Sequence, residues 1–202
     1  MKPTHFVGSS LADLKTFPAD VLREVGFALH QAEHGEKSLH ATPLVGFGGA
    51  GVLEVVANSD GKTYRAVYTV RLSEAVFVLH CFQKKSKAGI ATPAKEMDLV
   101  RKRLKDAERV NEELRRRRIQ EKQDENRIKV LIARQISRAI TERGFTQVQA
   151  AEVLEIDQAK VSNLTRGRIA GFSVERLMKF VAALGWDIDI EMRPSGSERG
   201  SV

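Results

Sequence analysis

Residues 146–167, TQVQAAEVLEIDQAKVSNLTRG, constrain this chain more than any other stretch. Thr146 is a capping residue type, and the helix it opens is predicted over 147–154, with Ala150, Ala151 and Leu154 on one face. Asp157 caps a second predicted helix over 158–166, whose Val161 and Leu164 face inward. The two small alanines let the helices approach closely. That is the geometry of a helix-turn-helix, whose second helix enters the major groove of DNA. Any capped amphipathic pair shares the apolar half of this pattern. The outward half points to DNA: Gln158, Lys160, Asn163 and Arg166 on the second helix, with Gln147 opening the first and Arg168 just beyond the second. Such side chains hydrogen-bond to base edges and phosphates.

A chain of 202 residues holds one domain or two of modest size. The formal charge of +7 suits a nucleic-acid partner without requiring one, and the surplus is shared evenly among 1–93, 94–127 and 128–202. No run is long and apolar enough to span a membrane, and the N-terminus lacks a signal peptide's apolar core. Cys81 is the single cysteine, which excludes a disulfide framework and a cysteine-based zinc site. A cytoplasmic protein with no membrane partner is expected.

Residues 1–93 read as α+β. Helices are predicted over 11–17 and 19–33, broken by Pro18, the second with Val21, Leu22, Val25, Ala28 and Leu29 on one face. The period then shortens. Segments 51–57, 63–71 and 74–83 are rich in valine and aromatic residues, as strands are, and Ser59-Asp60-Gly61 is a hairpin turn. Three strands in sequence predict an antiparallel meander with the helices on one face. The glycines of 46–51 lack the Gly-Lys-Ser/Thr ending of a phosphate loop.

The chemistry of this half rests on its basic residues. Arg65 sits in a strand otherwise mostly apolar and aromatic; if buried, it needs either Glu54 across the sheet or a ligand. Lys84, Lys85 and Lys87 follow the third strand and can gather phosphates or form a solvated strand end. His80 shares a strand face with Phe82 and Lys84, and is either a proton-transfer group or a packed histidine. Tyr68 has the opposite parity from Arg65 and is either core or a platform for an RNA base. The other four histidines show no metal-ligand pattern, and neither a metal nor another cofactor is expected.

From Ala94 to Arg127 the chain is densely charged and helix-forming. Met97, Val100, Leu104 and Val110 form a thin apolar stripe that can dock on the sheet, and the stripe fades after Leu114. We therefore place a first domain at 1–114, a charged linker at 115–127, a second domain at 128–193 and a disordered tail at 194–202. The second domain opens with a helix carrying Val130, Leu131, Ile136, Ala139 and Ile140, and adds a helix capped by Ser173. Trp186, Ile188 and Ile190 alternate with acidic residues, which predicts a short C-terminal strand and, since a lone strand needs a partner, a homodimer through this domain.

The segments GFGGAGVLEVV (46–56), YRAVYTV (64–70) and VLHCFQKKSKAGIATP (78–93) resemble the phage-derived Gp49-like branch of the HigB toxins, within the RelE-like ribonuclease superfamily. FTQVQAAEVLEIDQAKVSNLTRGRIAGFSVERLMKFVAALGWDIDIEM (145–192) resembles HigA-type antitoxins of the XRE family. The resemblance implies a RelE-like antiparallel sheet with packed helices, followed by an all-helical DNA-binding domain. It further implies a ribosome-dependent, metal-independent endoribonuclease that cleaves messenger RNA, neutralised by an operator-binding antitoxin, here fused in one chain. The expected chemistry is attack of the RNA 2′-OH on the adjacent phosphate. On this reading Arg65 stabilises the phosphate, Lys84 joins it, Lys85 and Lys87 hold the RNA backbone with Tyr68 at a base, and His80 moves a proton. Unlike well-known members, the chain has no tyrosine or histidine beyond the last strand, which leaves the general acid unassigned. The alternative is a transcriptional repressor whose RelE-like domain is catalytically inactive and serves for interaction.

Overall fold

A computed structural model describes residues 1–48, 51–84 and 93–191. The chain divides into two compact units, Met1–Arg118 and Ile119–Val202, each with its own apolar core.

The first unit runs β1 (Thr4–Phe6), α1 (Ser10–Leu14), α2 (Ala19–Glu33), β2 (Ala41–Pro43), β3 (Val52–Ser59), β4 (Lys62–Thr69) and β5 (Val76–Lys84). Helix α2 starts directly after Pro18 and buries Val21, Val25, Ala28, Leu29 and Ala32, the face its period dictates. Strands β3, β4 and β5 form the expected antiparallel meander. Asp60 and Gly61 close the first hairpin with φ of 49° and 72°, and the paired positive values match the twist of the two strands. Two three-residue strands extend the meander: β1 lies parallel to β5 and β2 antiparallel to β3, so the order is β1-β5-β4-β3-β2. Both are too short to leave a periodic signal in the sequence.

Alternation divides the sheet into two faces. Val55, Ala57, Tyr64, Ala66, Tyr68, Val78 and Cys81 pack with α1 and α2. Val52, Val67, Phe77 and Leu79 pack with Val100 and Ala107 of α3 (Ala94–Glu142), joined by Met97, Leu104 and Val110. The apolar stripe read from the sequence therefore covers the second face. One irregularity sets up the site. Val67 pairs with His80 but Tyr68 pairs with Val78, so Leu79 is a bulged extra residue.

Helix α3 continues through residues 115–127 and into the second unit. There Ala133, Ile136, Ala139 and Ile140 pack with α4 (Gln147–Leu154), α5 (Gln158–Thr165) and α6 (Val174–Ala183). The three caps read from the sequence are made: Thr146 forms a capping box with Gln149, Asp157 accepts from the Lys160 N–H, and Ser173 accepts from the Arg176 N–H.

One expectation needs correction. Residues 186–191 form no strand, and Ile188 and Ile190 are exposed. The alternation is real, but a strand exists only as part of a ladder, and no strand of the second unit among the described residues offers one. The tail expected at 194–202 lies outside the described residues. No described helix is long and apolar enough to cross a membrane.

Candidate functional site

In the first unit, Arg65 is 5% exposed, and its Nη1 donates to Oε2 of Glu54 in a close ion pair. Of the two partners open to a buried arginine, the carboxylate across the sheet is present. Tyr68 is 1% exposed, and burial pushes its hydroxyl pKa up to about 12. This corrects the expectation of an RNA base against Tyr68: strand alternation turns its ring into the apolar core shared with α2. Lys84 ends β5, half-buried. Lys85 and Lys87 lie outside the described residues.

Strand β1 pairs with Val76–Val78, and among the described residues no strand pairs with that edge of β5 from Leu79 onward. A cleft of about 700 Å³ is lined by residues that include Asp13, Thr16, His80, Lys84, Lys95 and Glu96. His80 is 6% exposed and stacks on Phe82, with ring centroids 4.9 Å apart. Its Nε2 lies 2.6 Å from Oε2 of Glu96, and its Nδ1 lies 3.0 Å from Nη1 of Arg103. A guanidinium only donates. Nδ1 must therefore accept, and the single ring proton sits on Nε2, donated to Glu96. Arg103 is itself buried. Its Nη1 also donates to the Leu79 carbonyl (3.0 Å), and its Nη2 donates to Ser9 Oγ (2.6 Å). Ser9 in turn donates to Asp13 Oδ2 at 2.7 Å.

One arginine thus caps the bulged carbonyl and ties α1, β5 and α3 together. Cys81 contributes no thiolate at neutral pH. Burial, aided by Asp13 and opposed by Arg103, pushes its thiol up to about 12.

Around this cleft stand His80 and Lys84, which the sequence reading names, and Asp13, Glu96 and Arg103, which it does not. The available signal was helical spacing. Glu96 and Arg103 stand seven residues apart, beside the stripe of Met97, Val100 and Leu104, where a charged residue must find a buried partner.

In the second unit, Gln147, Gln158, Lys160, Arg166 and Arg168 are exposed, while Asn163 is half-buried. Lys160 Nζ lies 2.9 Å from Asp157 Oδ2, an exposed pair of small energetic weight. Lys160 and Asn163 are one helical turn apart on α5, whereas Arg166 and Arg168 extend the basic surface past its end. Glu155, at the turn between α4 and α5, adopts the left-handed conformation (φ 51°).

Residues 12–105 match the family described as phage derived protein Gp49-like, and residues 119–193 match a helix-turn-helix domain family. The chain is 41% identical over 51 residues to "Putative antitoxin HigA2" of Mycobacterium tuberculosis, a match covering 25% of this chain and 50% of that protein. The chain therefore spans half the length of this curated relative. A solved structure titled "Putative XRE Family Transcriptional Regulator" is 36% identical, covers 39% of this chain and 88% of its own, and superposes with a TM-score of 0.35.

Proposed function

We propose that the chain is a toxin–antitoxin fusion, joining a Gp49-like domain of RelE-like toxin type to an XRE-family helix-turn-helix domain of antitoxin type. On this reading its first unit cleaves messenger RNA on the ribosome, and its second unit binds operator DNA and restrains the first. The tandem carries the reading, because a toxin domain and an antitoxin-type domain are complementary partners. The cleft beside β5 suits the proposed chemistry. Lys84 and Lys95 bring positive charge for a phosphodiester, and His80 and Glu96 form a proton-handling pair. The second unit presents Gln158 and Lys160 to base edges, with Arg168 at phosphates. It binds a palindromic operator as a homodimer, with its two recognition helices in successive major grooves. Both partners, translating ribosomes and operator DNA, place the chain in the cytoplasm.

A second reading is favoured by one observation. Arg65 is engaged by Glu54, which suits a first unit that has become a structural or interaction domain in a repressor. Two assays separate them: footprinting by the full chain on the DNA upstream of its own coding sequence, and end-mapping of messenger RNA on translating ribosomes given residues 1–118, the first unit freed of its restraint. The fusion reading expects a footprint and new RNA ends. A footprint without RNA ends leaves the repressor.

A further inference from the structure

We infer that Glu96, not His80, is the group that exchanges a proton with RNA bound in the first-unit cleft, and that His80 and Arg103 are positioning residues holding its carboxylate. This rests on the ribonuclease reading above. Both nitrogens of His80 are engaged inside the protein, Nε2 by Glu96 and Nδ1 by Arg103, and the ring is almost fully buried. To take a proton at Nδ1, His80 would have to point a second N–H at a guanidinium that only donates. The Glu96 side chain keeps 30% of its surface open and lines the cleft. A carboxylate is acceptor-only when ionised, so a fixed N–H on one oxygen orients it without consuming its capacity to accept a proton. The arrangement is a triad in which the imidazole orients the carboxylate and the guanidinium orients the imidazole.

The substrate class is single-stranded RNA, whose 2′-OH is both nucleophile and proton source. Glu96 accepts the 2′-OH proton as the 2′-oxygen bonds to the adjacent phosphorus. The bond from phosphorus to the 5′-oxygen breaks, its electron pair leaves with that oxygen, and water supplies the proton that completes the 5′-hydroxyl. The other end is a 2′,3′-cyclic phosphate, and Glu96 later returns its proton to solvent. Lys84 and Lys95, lining the same cleft, neutralise the phosphate.

Two measurements test the assignment, the first of them on the full chain. Nitrogen-15 NMR of the His80 ring should place its proton on Nε2. Arg103→Met should release that preference, and Arg103→Lys, which keeps a donor, should restore it. A wild-type ring protonated on Nδ1 overturns the inference. The second measurement is single-turnover cleavage of messenger RNA on translating ribosomes, with residues 1–118 in excess, because the second unit restrains the full chain. Glu96→Gln should lower the saturating rate constant by at least about 100-fold, with half-saturation unchanged. Arg103→Lys should lower it less than Arg103→Met. Cleavage by Glu96→Gln at the wild-type rate overturns the inference and leaves the ribonuclease reading standing. Folded wild-type 1–118 that leaves messenger RNA intact overturns both.

Discussion

The Glu54–Arg65 pair offers the sharpest test of how the first unit is held together. Relative side-chain exposures are 12% for Glu54 and 6% for Arg65, so Glu54→Ala removes a carboxylate that faces a buried guanidinium. Breaking such a pair costs about 3–5 kcal/mol, whereas replacing both members with apolar residues of similar volume is close to neutral. Unfolding entropy scales at roughly 2.1 cal/mol/K per residue, about 0.25 kcal/mol/K for a unit of this size, so the single change should lower its Tm by about 12–20 °C. The double variant Glu54→Leu/Arg65→Met should return to within about 5 °C of wild type. The aromatic residues separate the two units. Both tyrosines, Tyr64 and Tyr68, lie in the first, and the single tryptophan, Trp186, lies in the second. Near-ultraviolet circular dichroism of tyrosine should therefore shift in Glu54→Ala while tryptophan fluorescence melts as before. A Tm change below about 3 °C in the tyrosine signal would refute the argument, because Arg65 would then not depend on Glu54.

Three further outcomes are expected. Glu155→Gly should stabilise the second unit by about 0.5–1 kcal/mol, since a left-handed conformation costs a residue with a Cβ about 1–2 kcal/mol and glycine returns part of that as chain entropy; tryptophan-monitored urea unfolding measures it. The Lys160 side chain, then the Lys160 backbone N–H, hold the Asp157 carboxyl below its ordinary value of 3.8. Its folded pKa thus lies below the unfolded one, so its contribution is present above pH 3.8 and is lost as pH falls through the folded value. Asp157→Asn, which keeps the cap without the charge, should flatten the acid limb of the second unit's stability curve. For DNA, Gln158→Ala should relax sequence preference at a cost of about 1–3 kcal/mol, while Arg168→Ala should weaken all sequences alike and lower the salt dependence; titrations at several salt concentrations distinguish the two.

Local signals carried most of the fold. Pro18 and the spacing of Val21, Val25 and Leu29 fix α2, Asp60-Gly61 fixes the β3–β4 hairpin, and Thr146, Asp157 and Ser173 fix three helix starts. What the sequence hid depends on distant partners. Strands β1 and β2 exist because a longer strand lies beside each, and the alternation at 186–190 makes no strand because none does among the described residues. The same holds for the site. His80 is legible as a titratable residue on a strand, but its hydrogen-bond partners Glu96 and Arg103 lie 16 and 23 residues away, and local propensity does not encode the bulge at Leu79. Arg65 posed a choice between Glu54 and a ligand, and only the register of β3 on β4 places the carboxylate beside it.

The central claim is that one chain holds a ribonuclease and its restraint. The most direct test expresses residues 1–118 and the full chain separately in growing cells and maps messenger RNA 5′ ends in each. The account predicts new 5′-hydroxyl ends and arrested growth with residues 1–118, and neither with the full chain. Intact messenger RNA and normal growth in cells that accumulate folded 1–118 would contradict it.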